Sequence, residues 1–434
     1  MAERLDVLLR VILSRLFRHE FKGGDAEAFV DSKLEEISRA VIRLSELYTQ
    51  NRLDIRYNLL AEPDMRLAYL AYFLPSNFLK IKFIFQEIWL HQQVKDLFLG
   101  HVRILDLGCG PGTNLLGCLD FFSQQVTPPA RIECVGVDSL ESNLQDALYL
   151  FDLLSAELPV ATAASDTTRT SAVALLDRTH ASLKTYQSDL SRPLKLQVTQ
   201  PFDFILMGNV LNELYIGEDK RIEKRARRIV AFIEDWLAPA GFLILMEPAL
   251  RGTSREMLQV RDRLLDVLPL TVYSPCVHSQ PCPAVAPACT SDWCHEDHTW
   301  ETPNWIRQID QRTGLRKSSL KYSYVVLNRL GLSIRDAVVK AARTELEVAS
   351  NQVWRVVSEL LEERGKSAVY LCGTQGRFRV TRLDKHKSAV NADFESLNRG
   401  QVVSTGCLSH KSEIDLRVEP ETPVRILMGT RKPC

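Results

Sequence analysis

The stretch "RILDLGCGPGTN", residues 103–114, sets Gly108, Gly110 and Gly112 between a short apolar run and an apolar helical segment. An apolar run of this length, with both alternating faces hydrophobic, reads as a strand buried on both sides. Glycines at its end permit a tight turn and close approach of a ligand, which the N–H groups of the next helix then face. Downstream, "CVGVDS" ends a second such run at Asp138, a carboxylate suited to accept both hydroxyl hydrogens of a ribose. "FDFILMG" and "GFLILMEP" repeat the texture, with helical segments between them. Strands of this kind alternating with helices predict an α/β fold built on a doubly wound parallel sheet.

Outward from this loop, residues 1–98 read as a helical region, whose longest apolar stretch is interrupted only at Pro75. Residues 99–330 hold the sheet. "LTVYSP" and "KYSYVVLNR" are its expected last strands, with a cysteine-rich insertion at 274–300 between them. The Ala-, Ser- and Thr-rich residues 155–185 are expected to form helices and a surface loop. Residues 331–434 are read as a linker helix followed by a small barrel or curled sheet. Five strands are expected there, in "SAVYLCG", "RFRVTRL", "GQVVSTG", "EIDLRV" and "VRILMG".

At 434 residues the chain has room for two or three domains. Its 54 basic and 54 acidic residues cancel, so contact with nucleic acid requires a local patch. One candidate patch carries Lys366, Arg377, Arg379, Arg382, Lys385 and Lys387 against Asp384. Alternation in "RFRVTR" puts Arg377 and Arg379 on one strand face, which reads equally as a phosphate-tracking surface or a solvated one. The basic helix "DKRIEKRARR" is expected to be an exposed face with local acid–base pairs. The amphipathic opening segment carries Glu3 and Asp6 and resembles neither a secretory signal nor a transit peptide. No apolar run approaches the roughly 18 residues of a spanning helix, so a cytoplasmic protein without membrane contact is expected.

In a reducing compartment clustered cysteines read as metal ligands before disulfides. "SPCVHSQPCPAVAPACTSDWCH", residues 274–295, gathers Cys276, Cys282, Cys289 and Cys294 with His278 and His295. The spacing is neither the paired C-x2-C of zinc ribbons nor the triplet of radical enzymes. Thiolates favour zinc or iron–sulfur, and the lack of regular structure suggests that a metal organises the segment. His278, His295 and His298 are further ligand candidates if the metal is zinc. Cys109, Cys118, Cys134, Cys407 and Cys434 read as structural.

"DLGCGPGT" departs from the dinucleotide fingerprint, because Gly112 follows Gly110 too closely, and resembles the first motif of class I S-adenosylmethionine (SAM) methyltransferases. That resemblance implies SAM held by Asp106, Gly108, Gly110, Gly112, Thr113 and Asn114. It further implies the ribose on Asp138, the adenine near Asp189 and Leu190, and the methyl group toward Asn209. "SPCVHSQPCP", "DWCH" and "KYSYVVLNR" are similar to the methyltransferase-like proteins associated with the mitochondrial small ribosomal subunit and their bacterial relatives. "YLAYFLP", "EPALRGTSREMLQVRDRLL" and "VYLCGTQGRFRVTRLDK" extend the likeness. It implies a [4Fe–4S] cluster on Cys276, Cys282, Cys294 and Cys372, and an acceptor in RNA or the small ribosomal subunit. Cys289 has no counterpart, and Glu296 follows "WCH" where the family often has Phe.

No catalytic residue stands out. "GNVLNEL" lacks the proline-rich loop that grips a target nitrogen in amino methyltransferases, and Glu213 and Glu247 read as bases or as cofactor-orienting groups. Two rival readings remain: a non-catalytic assembly factor on the same fold, and a small-molecule methyltransferase with the β-rich part as a lid.

Overall fold

The computed structural model describes all residues except 1, 18–20, 23, 50–59, 61, 126, 158–179, 343–351 and 430–434. Most of the expected insertion at 155–185, and Cys434, therefore lie outside the described residues. Helices α1 (Ala2–Phe17), α2 (Asp25–Ser32), α3 (Leu34–Thr49), α4 (Pro63–Ala68), α5 (Leu74–Ile88) and α6 (Gln92–Leu97) precede the first strand. Pro75 does not break the apolar stretch. It sits in the first turn of α5, where its missing N–H costs nothing, and a π-turn at Tyr69–Phe73 joins α4 to α5.

The main sheet contains β1 (His101–Leu107), β2 (Arg131–Asp138), β3 (His180–Gln187), β4 (Phe202–Gly208), β5 (Leu237–Pro248), β6 (Thr271–Ser274), β7 (Glu296–Thr299) and β8 (Ser319–Asn328). Their order is β3-β2-β1-β4-β5-β8-β6, with β7 also on β8. β1 to β5 run parallel, while β8 lies antiparallel to β5 and β6. A doubly wound sheet with an antiparallel next-to-last strand is the class I methyltransferase arrangement. Its order reverses between β1 and β4, which opens a crevice at their carboxyl ends.

Period two divides each strand between two cores. Phe204 and Leu206 of β4 pack with α5 and with α7 (Thr113–Ser123), while Ile205 and Met207 face α9 (Arg221–Trp236) and α10 (Arg251–Val267). The first of these cores also takes in Leu8 and Ile12 of α1 and Val41 of α3, so the amino-terminal helices cover one face of the sheet. α8 (Glu141–Glu157) follows β2, and α11 (Asn304–Thr313) precedes β8.

After α12 (Ile334–Ala342) comes a second sheet of eight strands rather than five: β9 (Val353–Val356), β10 (Leu361–Glu363), β11 (Lys366–Gly373), β12 (Gly376–Leu383), β13 (Val402–Thr405), β14 (Ser409–His410), β15 (Asp415–Val418) and β16 (Val424–Met428). Its path is β14-β15-β12-β11-β9-β13-β16, with β10 on β11. β10 and β14 are too short for a periodic signal. β9, "VWRV", is buried throughout and adjoins residues outside the description.

Candidate functional site

The carboxyl ends of β1, β2 and β4 open into a cleft of about 780 Å³. Gly108, Gly110, Thr113 and Asn114 line it from the glycine loop, and Asp138, Asp189, Leu190 and Asn209 from the following strand ends. Asp106 and Gly112 stand behind that wall. Gly108 has φ +75°, and a Cβ there would collide with Val210. Gly112, also left-handed, caps α7 and packs against Ala147.

Asp138 is already engaged by the loop. Its Oδ2 accepts the Gly110 N–H at 2.9 Å, and its Oδ1 accepts the Leu140 N–H at 3.0 Å and the Asn143 amide at 3.2 Å. Burial nonetheless raises its pKa over these bonds. Asp106, fully buried, has its pKa pushed up to about 7 by burial, with Asp138 adding to the rise and the Asn114 amide at 3.3 Å opposing it. Its second oxygen has no hydrogen-bond partner. Asp189 differs: partial burial is outweighed by the Ser191 hydroxyl and N–H and by Arg192, and its pKa falls. Asn209 takes a left-handed turn (φ 59°) and donates its N–H to Met246.

Glu213 lines the cleft, whereas Glu247, 1% exposed, accepts from the Asn212 side chain and N–H behind it. The helix read as an exposed basic face is exposed at Arg221, Glu223 and Arg227, while its other side braces the interior. Arg225, 1% exposed, donates to the carbonyls of Leu214 and Asn212 and to Glu256, and Arg228 donates to Leu190. The sequence reading missed the opposite wall, where Tyr48, Tyr69, Tyr72, Phe73, Lys80 and Lys317 come from the amino-terminal helices and the segment before β8. One signal was available: a lysine embedded in the apolar α5.

A second cavity lies against the insertion. Cys276, Cys282, Cys294 and Cys372 all line it, with His278 and His295. Burial pushes the thiols of Cys282 and Cys294 up to about 12, and that of Cys372 well above its ordinary value. The neighbouring thiols of the set add to each rise, which places Cys372 of β11 among the insertion cysteines. His278 Nε2 lies 3.7 Å from the Cys372 sulfur. Cys289 does not line the cavity; its carbonyl accepts from Arg255 at 2.8 Å. His298 also lies off the lining and stacks on Phe83 at 4.3 Å. Among the described residues no three His, Cys, Asp or Glu side chains close to single-ion geometry. The two cavities share no lining residue.

The insertion is organised by protein groups. From α10, Arg255 donates to the carbonyls of Ala284, Cys289 and Asp292, and Arg261, fully buried, donates to those of His278 and Gln280. Burial and Arg261 hold the His278 pKa down to about 4, and burial and Arg399 do the same for His295.

The family described as mitochondrial small ribosomal subunit Rsm22 matches residues 151–399, more than half of the chain. The chain belongs to the Rsm22 family. The matched span contains all four cavity cysteines and begins after the glycine loop and Asp138. No curated protein matches. A magnesium protoporphyrin IX methyltransferase from Synechocystis PCC 6803, solved with bound SAM, is 12% identical across 67% of this chain and 97% of its own, with a TM-score of 0.32. A putative class I SAM-dependent methyltransferase from Listeria monocytogenes is 12% identical across 79% and 98%, TM-score 0.34. A putative RNA methyltransferase from Pyrococcus horikoshii is 11% identical across 56% and 81%, TM-score 0.26. Likenesses this distant add nothing to the strand order, which establishes the fold.

In this Rsm22 chain the proposed basic surface on β11 and β12 is largely consumed internally. Arg382, 1% exposed, binds Asn391 and Glu395; Arg379 and Lys366 meet Glu363; and Arg377 meets Asp292 of the insertion at 2.9 Å. Phe378 packs on the core of this sheet, on the face opposite Arg377 and Arg379 as the alternation implied. No described helix is long and apolar enough to cross a membrane.

Proposed function

We propose that this Rsm22-family chain is a SAM-dependent methyltransferase acting on RNA of the small ribosomal subunit, with a [4Fe–4S] cluster as a structural clasp. The observation that carries the first part is the glycine-turned crevice at the strand reversal, with carboxylates at the adjoining strand ends. The residues fit the cofactor: Gly108 admits close approach, and Asp106 keeps an unpaired buried oxygen beside the loop. Gly108, Gly110, Gly112, Thr113 and Asn114 would hold SAM, with Asp106 behind them, Asp138 at the ribose and Asp189 with Leu190 at the adenine. Bound SAM supplies an electrophilic methyl group, which passes from sulfonium sulfur to the acceptor nucleophile and leaves S-adenosylhomocysteine and a proton. The chain's own task is alignment, with Asn209 at the mouth and Arg225 and Arg228 fixing the loops that carry Leu190 and Asn212.

The donor set fits a cluster. Four thiols from two parts of the chain line one cavity, and buried nitrogens of His278, His295 and Arg377 around it lack partners. Cys276, Cys282, Cys294 and Cys372 would hold it, leaving His278 and His295 as neighbours. Because the cavity shares no residue with the cleft, its contribution would be structural rather than redox. The reducing compartment this requires is the cytoplasm by the sequence reading, or a mitochondrion as the family's description has it.

Calorimetric titration with SAM, transfer of labelled methyl to small-subunit RNA, and iron and acid-labile sulfide in anaerobically purified protein test these statements. Cofactor binding without transfer to RNA, protein or metabolites would favour an assembly factor. Zinc as the sole metal would overturn the cluster.

A further inference from the structure

The cleft wall formed by the amino-terminal helices and the segment before β8 carries two lysines that the cofactor reading does not use. Lys80 of α5 is 7% exposed, and its ammonium donates to the Asn77 carbonyl at 2.8 Å. Lys317 sits 5.1 Å from the centre of the Phe73 ring and 5.5 Å from that of Tyr72. No described carboxylate lies within ion-pair distance of either ammonium. Asp310, which attracts Lys317, accepts from the Tyr72 hydroxyl and the Lys317 backbone N–H. Burial, with Lys317 repelling Lys80, pulls the Lys80 pKa well down, and burial brings Lys317 to about 8. Buried Lys80 and half-buried Lys317, with Asp310 the one carboxylate acting on Lys317, resist carrying charge together. An anion between them removes that resistance.

An aromatic strip connects this wall to the glycine loop. Tyr69 and Phe73 stack at 6.2 Å, Tyr48 meets Phe73 edge-on at 5.7 Å, and the Tyr69 hydroxyl lies 3.4 Å from that of Thr113. Tyr69 and Phe73 come from the π-turn, an irregularity that concentrates at functional sites.

We propose that Lys80 and Lys317 bind a phosphate of the methyl-accepting nucleotide, whose base lies along the Tyr69–Phe73 strip toward the cofactor end. The inference rests on the proposed methyltransferase reading and names how its acceptor is gripped. Lysine holds phosphate as a point charge, and aromatic faces accept an unstacked base of a single strand.

The test uses the anaerobically purified full chain, saturated with S-adenosylhomocysteine. Calorimetry compares a short single-stranded oligoribonucleotide with its uncharged methylphosphonate analogue, nucleoside monophosphates with nucleosides, and an aspartate-rich peptide. Inorganic phosphate serves as competitor. Phosphate competition, and a loss of about tenfold or more on neutralising the backbone, are expected. Lys80→Met and Lys317→Met should each cost about tenfold and lower the salt slope by about one, with S-adenosylhomocysteine affinity unchanged. Because methionine matches the lysine stem, both variants should also melt no lower than wild type, separating lost binding from lost folding. Equal binding of oligonucleotide and analogue, unchanged affinity in the double variant, or tighter binding of the peptide would overturn the proposal. Should S-adenosylhomocysteine fail to bind, the methyltransferase reading falls, and phosphate titration of the cofactor-free chain still decides this one.

Discussion

Asp106 shows what one buried carboxyl does at the cofactor end. Its folded pKa of about 7 lies above the ordinary 3.8, so the unfolded chain releases this proton first as pH rises. Stability is therefore fully present below about pH 4 and declines until about pH 7, by on the order of 4 kcal/mol. Asp106→Asn should flatten that part of the profile, which thermal melts from pH 4 to 8 would reveal. An unaltered slope would assign the titration to another group. At Gly108, Gly108→Ala forces a Cβ into Val210 and a side chain into left-handed backbone, and SAM affinity by calorimetry should fall at least tenfold. The glycines were legible because the backbone alone demands them. That Asp138 braces the loop was not, since only the folded turn brings Gly110 N–H to its carboxylate.

Among the elements, α10 carries the largest unforeseen role. Its sequence reads as an ordinary amphipathic helix, yet Arg255 ties down three carbonyls of the cysteine insertion. Arg255→Ala strands those acceptors, at a cost of about 1–3 kcal/mol each if they stay buried. Hydrogen exchange across residues 282–294 should accelerate, while SAM affinity stays constant. Unchanged exchange would mean that the prolines alone hold the segment. The basic strand β12 teaches the converse: alternation correctly sorts its faces, but charge counting along a strand cannot see Glu363, Glu395 and Asp292 arriving from elsewhere to neutralise it.

At the scale of the molecule, the two sheets are held together by contacts that include the following. Cys372 brings β11 to the insertion cysteines, and Arg355 of β9, 2% exposed, binds Glu87 of α5 at 2.8 Å and Glu296 of β7 at 2.9 Å. Arg355→Ala removes the guanidinium shared by two buried carboxylates and should destabilise the chain by about 3–5 kcal/mol, visible in denaturant midpoints. Cys372→Ser should reduce iron and sulfide content with the glycine cleft intact. Full metal retention would place the fourth ligand elsewhere.

By itself the sequence determined the parallel sheet, its glycine loop and the concentration of thiols, because buried strands, left-handed turns and sulfur ligands each demand particular residues at short range. Only the tertiary structure decided which of the clustered cysteines share a cavity, which arginines are spent on internal carbonyls, and that Lys80 and Lys317 line one cleft. Those are meetings between side chains far apart along the chain, and local pattern carries no record of distance through space.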